Sequence, residues 1–176
     1  LHWLLFTPFR YPPPPGGSRF RGPNDPGGFY GAEHARTACA EVGYWRWRHL
    51  RDTSGIAAMP PRPQTVFKMP VSGAAIDLRE SPFDRDRDSW AHRSDYGPCQ
   101  AMGRVARAAG TQWLRYESVR DSGRGGCGVV FDATAFAART PTEQQGWILT
   151  VTQTRVVWQR SDPLDPGVFE FSAAGW

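Results

Sequence analysis

The sequence predicts an α+β fold of mixed, mostly antiparallel sheets with flanking helices. Two segments carry apolar residues at helical spacing, while six or so short runs are rich in β-branched and aromatic residues and end in turn signals. Helices and strands do not alternate in the regular βαβ order that a doubly wound sheet requires. At 176 residues the chain has the size of one compact domain, and residues 1–176 are read as a single domain. With 40% hydrophobic residues, including 8 Trp, 10 Phe and 5 Tyr, it carries too much apolar surface for a disordered tail.

The first third is punctuated by Pro12–Pro15, Gly16–Gly17, Pro23 and Pro26–Gly28, so Phe9-Arg10-Tyr11, Arg19-Phe20-Arg21 and Phe29-Tyr30 read as short extended pieces. From Ala35 to Arg51 no proline intervenes, and Ala38, Val42, Trp45 and Leu50 fall near helical spacing. Glu41 lies close to that stripe. Flanked by Ala38, Val42 and Trp45, it is expected to be partly buried, which is costly without a partner. Thr65–Met69 and Ala75–Leu78 read as strands, and the Arg/Asp-rich stretch from Asp84 to Asp95 as a surface loop. A second helix is expected from Pro98 to Ala109, with Met102, Val105, Ala106 and Ala109 on its apolar face and Gly110 as its stop. Strands follow at Gln112–Tyr116, Gly128–Phe131, Trp147–Thr152 and Arg155–Gln159, with Asp121–Gly126 as a turn.

Lys68 is the only lysine among 21 basic residues, so the positive charge sits on guanidinium groups, which grip carboxylates and phosphates in bidentate fashion. The net charge of +4 suits an anionic ligand or partner. No apolar run approaches the roughly 18 residues of a bilayer span, so no membrane partner is expected. Cys39, Cys99 and Cys127 are odd in number and lack a C-x-x-C pair, which argues against a disulfide framework or structural zinc and fits a reducing cytoplasm.

Several motifs weaken on inspection. Asp84-Arg-Asp86-Arg-Asp88-Ser89 imitates a calcium loop, but Ser89 replaces the required Gly and Asp95 the final Glu. Gly123–Gly128 leads into a strand, whereas phosphate-binding glycine loops lead into a helix. His2, His34, His49 and His92 lack metal-ligand spacing, so no metal is expected, and no G-x-S-x-G elbow is present. Tyr44-Trp45-Arg46-Trp47-Arg48 interleaves aromatics with arginines as single-strand nucleic-acid binders do, which keeps a basic nucleic-acid-binding module as an alternative. On a helix, Trp45 and Trp47 divide between core and interface.

The remaining constellation is Arg10, Arg19, Tyr30, Glu41 and, far downstream, Ser118. Gly16-Gly17-Ser18-Arg19-Phe20-Arg21, Gly28-Phe29-Tyr30-Gly31-Ala32-Glu33 and Thr37-Ala38-Cys39-Ala40-Glu41 together resemble the N-terminal half of the RES domain, a family named after arginine, glutamate and serine. The resemblance continues through Asp95-Tyr96 and Cys99-Gln100 to Tyr116-Glu117-Ser118-Val119-Arg120. Arg19 to Tyr30 and Tyr30 to Glu41 are each eleven residues apart, as in the family's pattern.

The resemblance implies a fold similar to ADP-ribosylating toxins and a toxin of a bacterial toxin–antitoxin pair that consumes NAD+ by cleaving the nicotinamide–ribose bond. NAD+ is then substrate, and ADP-ribose passes to water or phosphate, or to a host protein side chain in a protein ADP-ribosyltransferase. Glu41 would stabilise an oxocarbenium-like ribose. Arg19 would hold the pyrophosphate or ribose edge, with Arg10 or Arg21 as second phosphate contact. Tyr30 would stack on nicotinamide, and Ser118 would bond the substrate or orient Glu41. An Xre-like antitoxin blocking the cleft is the implied partner, with Trp45 or Trp47 as candidate anchors; a homodimer is a further option.

Overall fold

The computed structural model describes residues 1–176. In chain order its main elements are α1 (Trp3–Arg10), β1 (Phe29–Ala32), α2 (Ala35–Asp52), β2 (Ala58–Lys68), β3 (Ala75–Asp77), α3 (Arg87–Trp90), α4 (Gly97–Ala108), β4 (Trp113–Glu117), β5 (Gly126–Val130), β6 (Glu143–Thr152), β7 (Arg155–Arg160) and β8 (Val168–Ser172). The strands form two four-stranded sheets, ordered β1-β5-β4-β3 and β2-β6-β7-β8. Every pairing is antiparallel except β3 with β4. The expected α+β class with mostly antiparallel sheets is observed.

Each sheet has its own core. α2 covers the second sheet, where Ala40, Tyr44, Trp47 and Leu50 meet Trp147, Leu149, Val151, Val156, Trp158 and Phe171. α4 and the Phe20 turn cover the first, where Cys99, Ala106 and Phe20 meet Leu114, Tyr116, Cys127 and Val129. Gly103 is what lets that turn approach α4: a Cβ there would stand 2.4 Å from the Phe20 carbonyl oxygen.

Both expected helices form, but each buries only part of its expected face. Leu50 is buried as expected, but Val42 and Trp45 are each 42% exposed, and α2 buries Ala40, Tyr44 and Trp47 in their place. Two large rings at i and i+3 bury more apolar area than the smaller Ala38 and Val42, so they set the helix rotation. Trp47 is core and Trp45 surface. On α4 Ala106 is buried and Met102 partly buried as expected, joined by Cys99 and Gly103, while Val105 and Ala109 are exposed. Close packing against Phe20 selects small residues over a large apolar one.

Four other expectations are corrected. Phe9-Arg10-Tyr11 is not extended, because α1 runs to Arg10 with Pro8 inside it. Burial of Leu5 against Val130, Ala135 and Phe136 offsets the hydrogen bond that Pro8 cannot donate. Arg19-Phe20 is a tight turn closed by paired hydrogen bonds between Ser18 and Arg21, with Ser18 N–H reaching Arg21 O over 2.7 Å. The Asp84–Asp95 stretch contains a 3-10 turn at Phe83–Asp86 and then α3, held by the Trp90 indole donating to Phe83 O over 2.8 Å. β2 starts well before Thr65 despite Pro60, Pro61 and Pro63, because it lies at a sheet edge and its register shifts between Met59 and Arg62. β8 lies in the C-terminal stretch that sequence patterning leaves without an element.

Candidate active site

α2 presents Thr37, Glu41 and Tyr44 along one side, at positions i, i+4 and i+7, towards the turn that joins β4 to β5. Each of the three meets its own partner on that turn. Thr37 Oγ1 donates to Asp121 Oδ2 over 2.8 Å. Ser118 Oγ donates to Glu41 Oε1 over 2.6 Å. The Arg120 guanidinium stacks 3.6 Å from the centre of the Tyr44 ring. The turn itself needs Gly125, since a Cβ there would overlap Thr37 Oγ1 at 2.2 Å.

The direction of the Ser118 bond follows from its other partners. Ser118 is fully buried just beyond the end of β4, and its oxygen accepts from the backbone N–H groups of Arg120 at 3.1 Å and Asp121 at 3.0 Å. Its lone pairs are thereby engaged, so its proton goes to Glu41. Asp121 is also buried and is paired with Arg36 Nε at 3.5 Å.

Glu41 is half-buried, and burial raises its carboxyl above the ordinary carboxylate value. The Ser118 hydroxyl and the charges of Arg19 and Arg120 act in the opposite sense, while Asp121 adds to the rise. Cys127 Sγ lies 4.0 Å from Glu41 Oε1, and burial together with the Glu41 charge keeps that thiol protonated. The arrangement is a desolvated carboxylate with one strong donor and two guanidinium groups near it.

Arg19 is buried, and its Nη1 donates to the carbonyls of Trp90 at 3.0 Å and His92 at 2.8 Å. Its guanidinium lies 4.7 Å from the Tyr96 ring centre. Arg120 approaches the same tyrosine, with Nη2 3.3 Å from Tyr96 Oη, so Tyr96 stands between the two arginines. Tyr30 on β1 bonds Ser18 Oγ at 2.8 Å and accepts from Phe20 N–H at 3.0 Å, which ties the strand to the Arg19 turn. Burial raises its phenol above the ordinary value.

The structure therefore brings Arg19, Tyr30, Glu41 and Ser118 into one neighbourhood. Arg10 is exposed at the end of α1, stacked 4.6 Å over Phe6, and contacts none of them. Arg21 is buried and holds its own loop, donating to Tyr11 O at 2.8 Å and Asp25 O at 3.1 Å. Sequence reasoning passed over Thr37, Tyr44, Tyr96, Arg120 and Asp121 as site residues. The helical spacing of Thr37, Glu41 and Tyr44 was a usable signal for two of them.

A cavity of about 670 Å³ lies beside this cluster, bordered by β1, β4 and β5 on one side and β2 on the other. Tyr30, Ala38, Cys39 and Cys127 belong to its wall, whereas Glu41, Arg19 and Ser118 do not. Cys127 touches both, lining the cavity with its Sγ 4.0 Å from Glu41 Oε1. Ion pairs stand at its margin, Arg115 to Glu33 at 2.5 Å and Lys68 to Glu143 at 2.6 Å.

No helix is long and apolar enough to cross a membrane. No curated protein matches the chain. The family model described as the RES domain matches residues 1–158, a span that contains α1 through β6, most of β7 and every residue of the Glu41 cluster. With that match over most of its length, the chain belongs to the RES domain family, a family of toxin-like, NAD-related domains.

Proposed function

We propose that this site binds NAD+ and breaks its bond between nicotinamide nitrogen and ribose C1′, so that the protein acts as a toxin by depleting NAD+. The observation that supports it best is the Glu41 carboxylate, fixed by Ser118 over 2.6 Å in a partly desolvated site. The nicotinamide of NAD+ is cationic. The bonding pair leaves with its nitrogen and neutralises the ring, so the leaving group needs no proton. Positive charge develops on the ribose, where a fixed carboxylate stabilises it most. Water then bonds to C1′ and loses a proton to solvent, giving ADP-ribose; inorganic phosphate in its place gives ADP-ribose 1″-phosphate.

The other residues fit this reading by position. Arg19 is pre-ordered by two backbone carbonyls and leaves guanidinium donors for a diphosphate. Tyr30 supplies an aromatic wall, with its hydroxyl already committed to the Arg19 turn. An antitoxin that occupies the site belongs to the same reading.

The test is NAD+ consumption by the purified protein freed of any partner, following nicotinamide and ADP-ribose by mass with and without inorganic phosphate. Nicotinamide release that Glu41→Gln abolishes supports the proposal. Full turnover by Glu41→Gln overturns the role of Glu41. Absence of release from a folded sample, with no label transfer from NAD+ to lysate proteins, overturns the enzymatic reading.

A further inference from the structure

We propose that Trp176 is a positioning residue for Glu41, holding the turn that carries Ser118 and Arg120 in place from outside the stretch that defines the family. The inference rests on the reading of Glu41 as the reacting carboxylate. Trp176 Nε1 donates to the Arg120 carbonyl over 2.8 Å. Arg120 N–H donates to Ser118 Oγ at 3.1 Å, and Ser118 Oγ donates to Glu41 Oε1 at 2.6 Å. Three hydrogen bonds thus connect the C-terminal indole to the carboxylate.

The indole is itself well anchored. β8 pairs with β7, and the Ala173–Gly175 3-10 turn that follows is held by Ala173 N–H donating to Thr154 O over 2.9 Å. The Trp176 ring meets Tyr44 edge-on with centroids 5.7 Å apart, lies 5.8 Å from Trp47 and stacks at 6.1 Å on Phe171. Tyr44 is shared, offering its face to Arg120 and its edge relation to Trp176. The β4–β5 turn belongs to the first sheet and Trp176 to an extension of the second, so this bond fastens one sheet's turn to the other sheet's core.

Side-chain contacts hold Asp121 through Thr37 and Arg36 and the Arg120 guanidinium through Arg93 O and the Tyr44 ring, while Trp176 holds the Arg120 carbonyl. The backbone N–H groups of Arg120 and Asp121 bond a side chain rather than a neighbouring strand, so no ladder holds this part of the turn. The family match ends at residue 158, and Trp176 lies beyond it. The groups that face Glu41 are Arg19 from the turn before β1, Ser118, Arg120 and Asp121 from the β4–β5 turn, Tyr116 from β4 and Cys127 from β5. Of these, three sit on the turn that Trp176 holds.

Trp176→Phe keeps an aromatic ring against Tyr44, Trp47 and Phe171 and removes the donor. The expected result is that kcat for NAD+ cleavage falls about tenfold or more while KM stays within about twofold, as small misplacements of a reacting group produce. With Arg120 and Ser118 less closely held, the Glu41 carboxyl, followed by carbon NMR, titrates at higher pH than in the native chain. Phe169→Leu is the control, since Phe169 stacks on Trp147 at 4.9 Å; it lowers Tm and leaves the Glu41 midpoint in place. An unchanged Glu41 midpoint in Trp176→Phe overturns the proposal, whatever happens to Tm. If the native chain releases no nicotinamide, the proposed function fails, and the NMR titration still decides whether Trp176 positions Glu41. Should Trp176→Phe not fold, benzothienylalanine at 176 removes the N–H with the indole shape retained, and the same two outcomes apply.

Discussion

Ser118 and Glu41 stand 77 positions apart in the chain and 2.6 Å apart in the structure, with the serine proton directed at the carboxylate by two backbone N–H groups behind it. The helix packed on the second sheet and a hairpin turn of the first thereby share a part-buried polar contact. Around it, Thr37–Asp121 and Tyr44–Arg120 repeat the same helix-to-turn relation one turn of α2 to either side. A carboxylate held this way has little freedom to reorganise, which is the property that electrostatic stabilisation of a developing cation requires.

Glu41→Gln tests charge against shape. NAD+ turnover is expected to fall by about 10² or more, the magnitude typical of losing a preorganised electrostatic partner. Stability should move the other way. Burial raises the folded pKa of Glu41 above its unfolded value, so its contribution to stability is fully present below the unfolded pKa and is lost as pH rises through the folded pKa. The variant should therefore melt higher than the native chain at neutral pH, with the advantage disappearing in acid. Thermal melts across pH, run beside the NAD+ assay, check both halves.

Ser118→Ala removes the hydroxyl that opposes the effect of burial on Glu41. If turnover needs the ionised carboxylate, the acid limb of kcat/KM should move to higher pH than in the native protein, where it already lies above the ordinary carboxylate range. The variant also strips an acceptor from two buried N–H groups, which costs about 1–3 kcal/mol each when they are left unsatisfied. A pH–rate profile and a denaturant titration separate the two effects.

Thr37→Val keeps side-chain volume and deletes the donor to buried Asp121. A hydrogen bond to a charged group is worth about 1.5–3 kcal/mol, and a loss of that size is expected by urea unfolding. Because Asp121 shares its turn with Ser118, kcat should fall with little change in KM.

Gly103→Ala places a methyl group 2.4 Å from the Phe20 carbonyl, a backbone atom that cannot swing aside. Overpacking of this kind costs about 1–3 kcal/mol. The strain falls on the turn that carries Arg19, so NAD+ affinity should drop along with Tm. Calorimetric titration with NAD+ checks the first and thermal melting the second.

Much of this architecture was legible in the residues. α2 was readable because seventeen residues from Ala35 to Arg51 contain no proline, and the strands because β-branched and aromatic runs sit between clear turn signals. Partial burial of Glu41 was expected, but its cause was not legible: Val42 and Trp45 beside it are exposed, and Ser118 and Cys127 from the first sheet cover it. The rotation of α2 did not follow, since a helix with apolar residues on several sides turns to bury whichever rings fit the sheet beneath it, here Tyr44 and Trp47. α1 and the early part of β2 were hidden by prolines that a buried Leu5 and an edge position tolerate.

By itself the sequence determined the α+β class, most strands and both long helices, and it offered Arg10, Arg19, Tyr30, Glu41 and Ser118 as candidates, of which the structure makes the last four neighbours. Those elements and candidates rest on local signals: spacing, turn residues and the order of short motifs. Only the tertiary structure decided that Arg10 stays apart, that Arg21 serves its own loop, that Arg120 and Tyr96 join the site, and that Trp176 reaches the turn behind Ser118. Those are contacts between residues distant in the chain. Each is selected by burial and hydrogen bonding across packed elements, and a one-dimensional pattern carries no record of which side chains meet there.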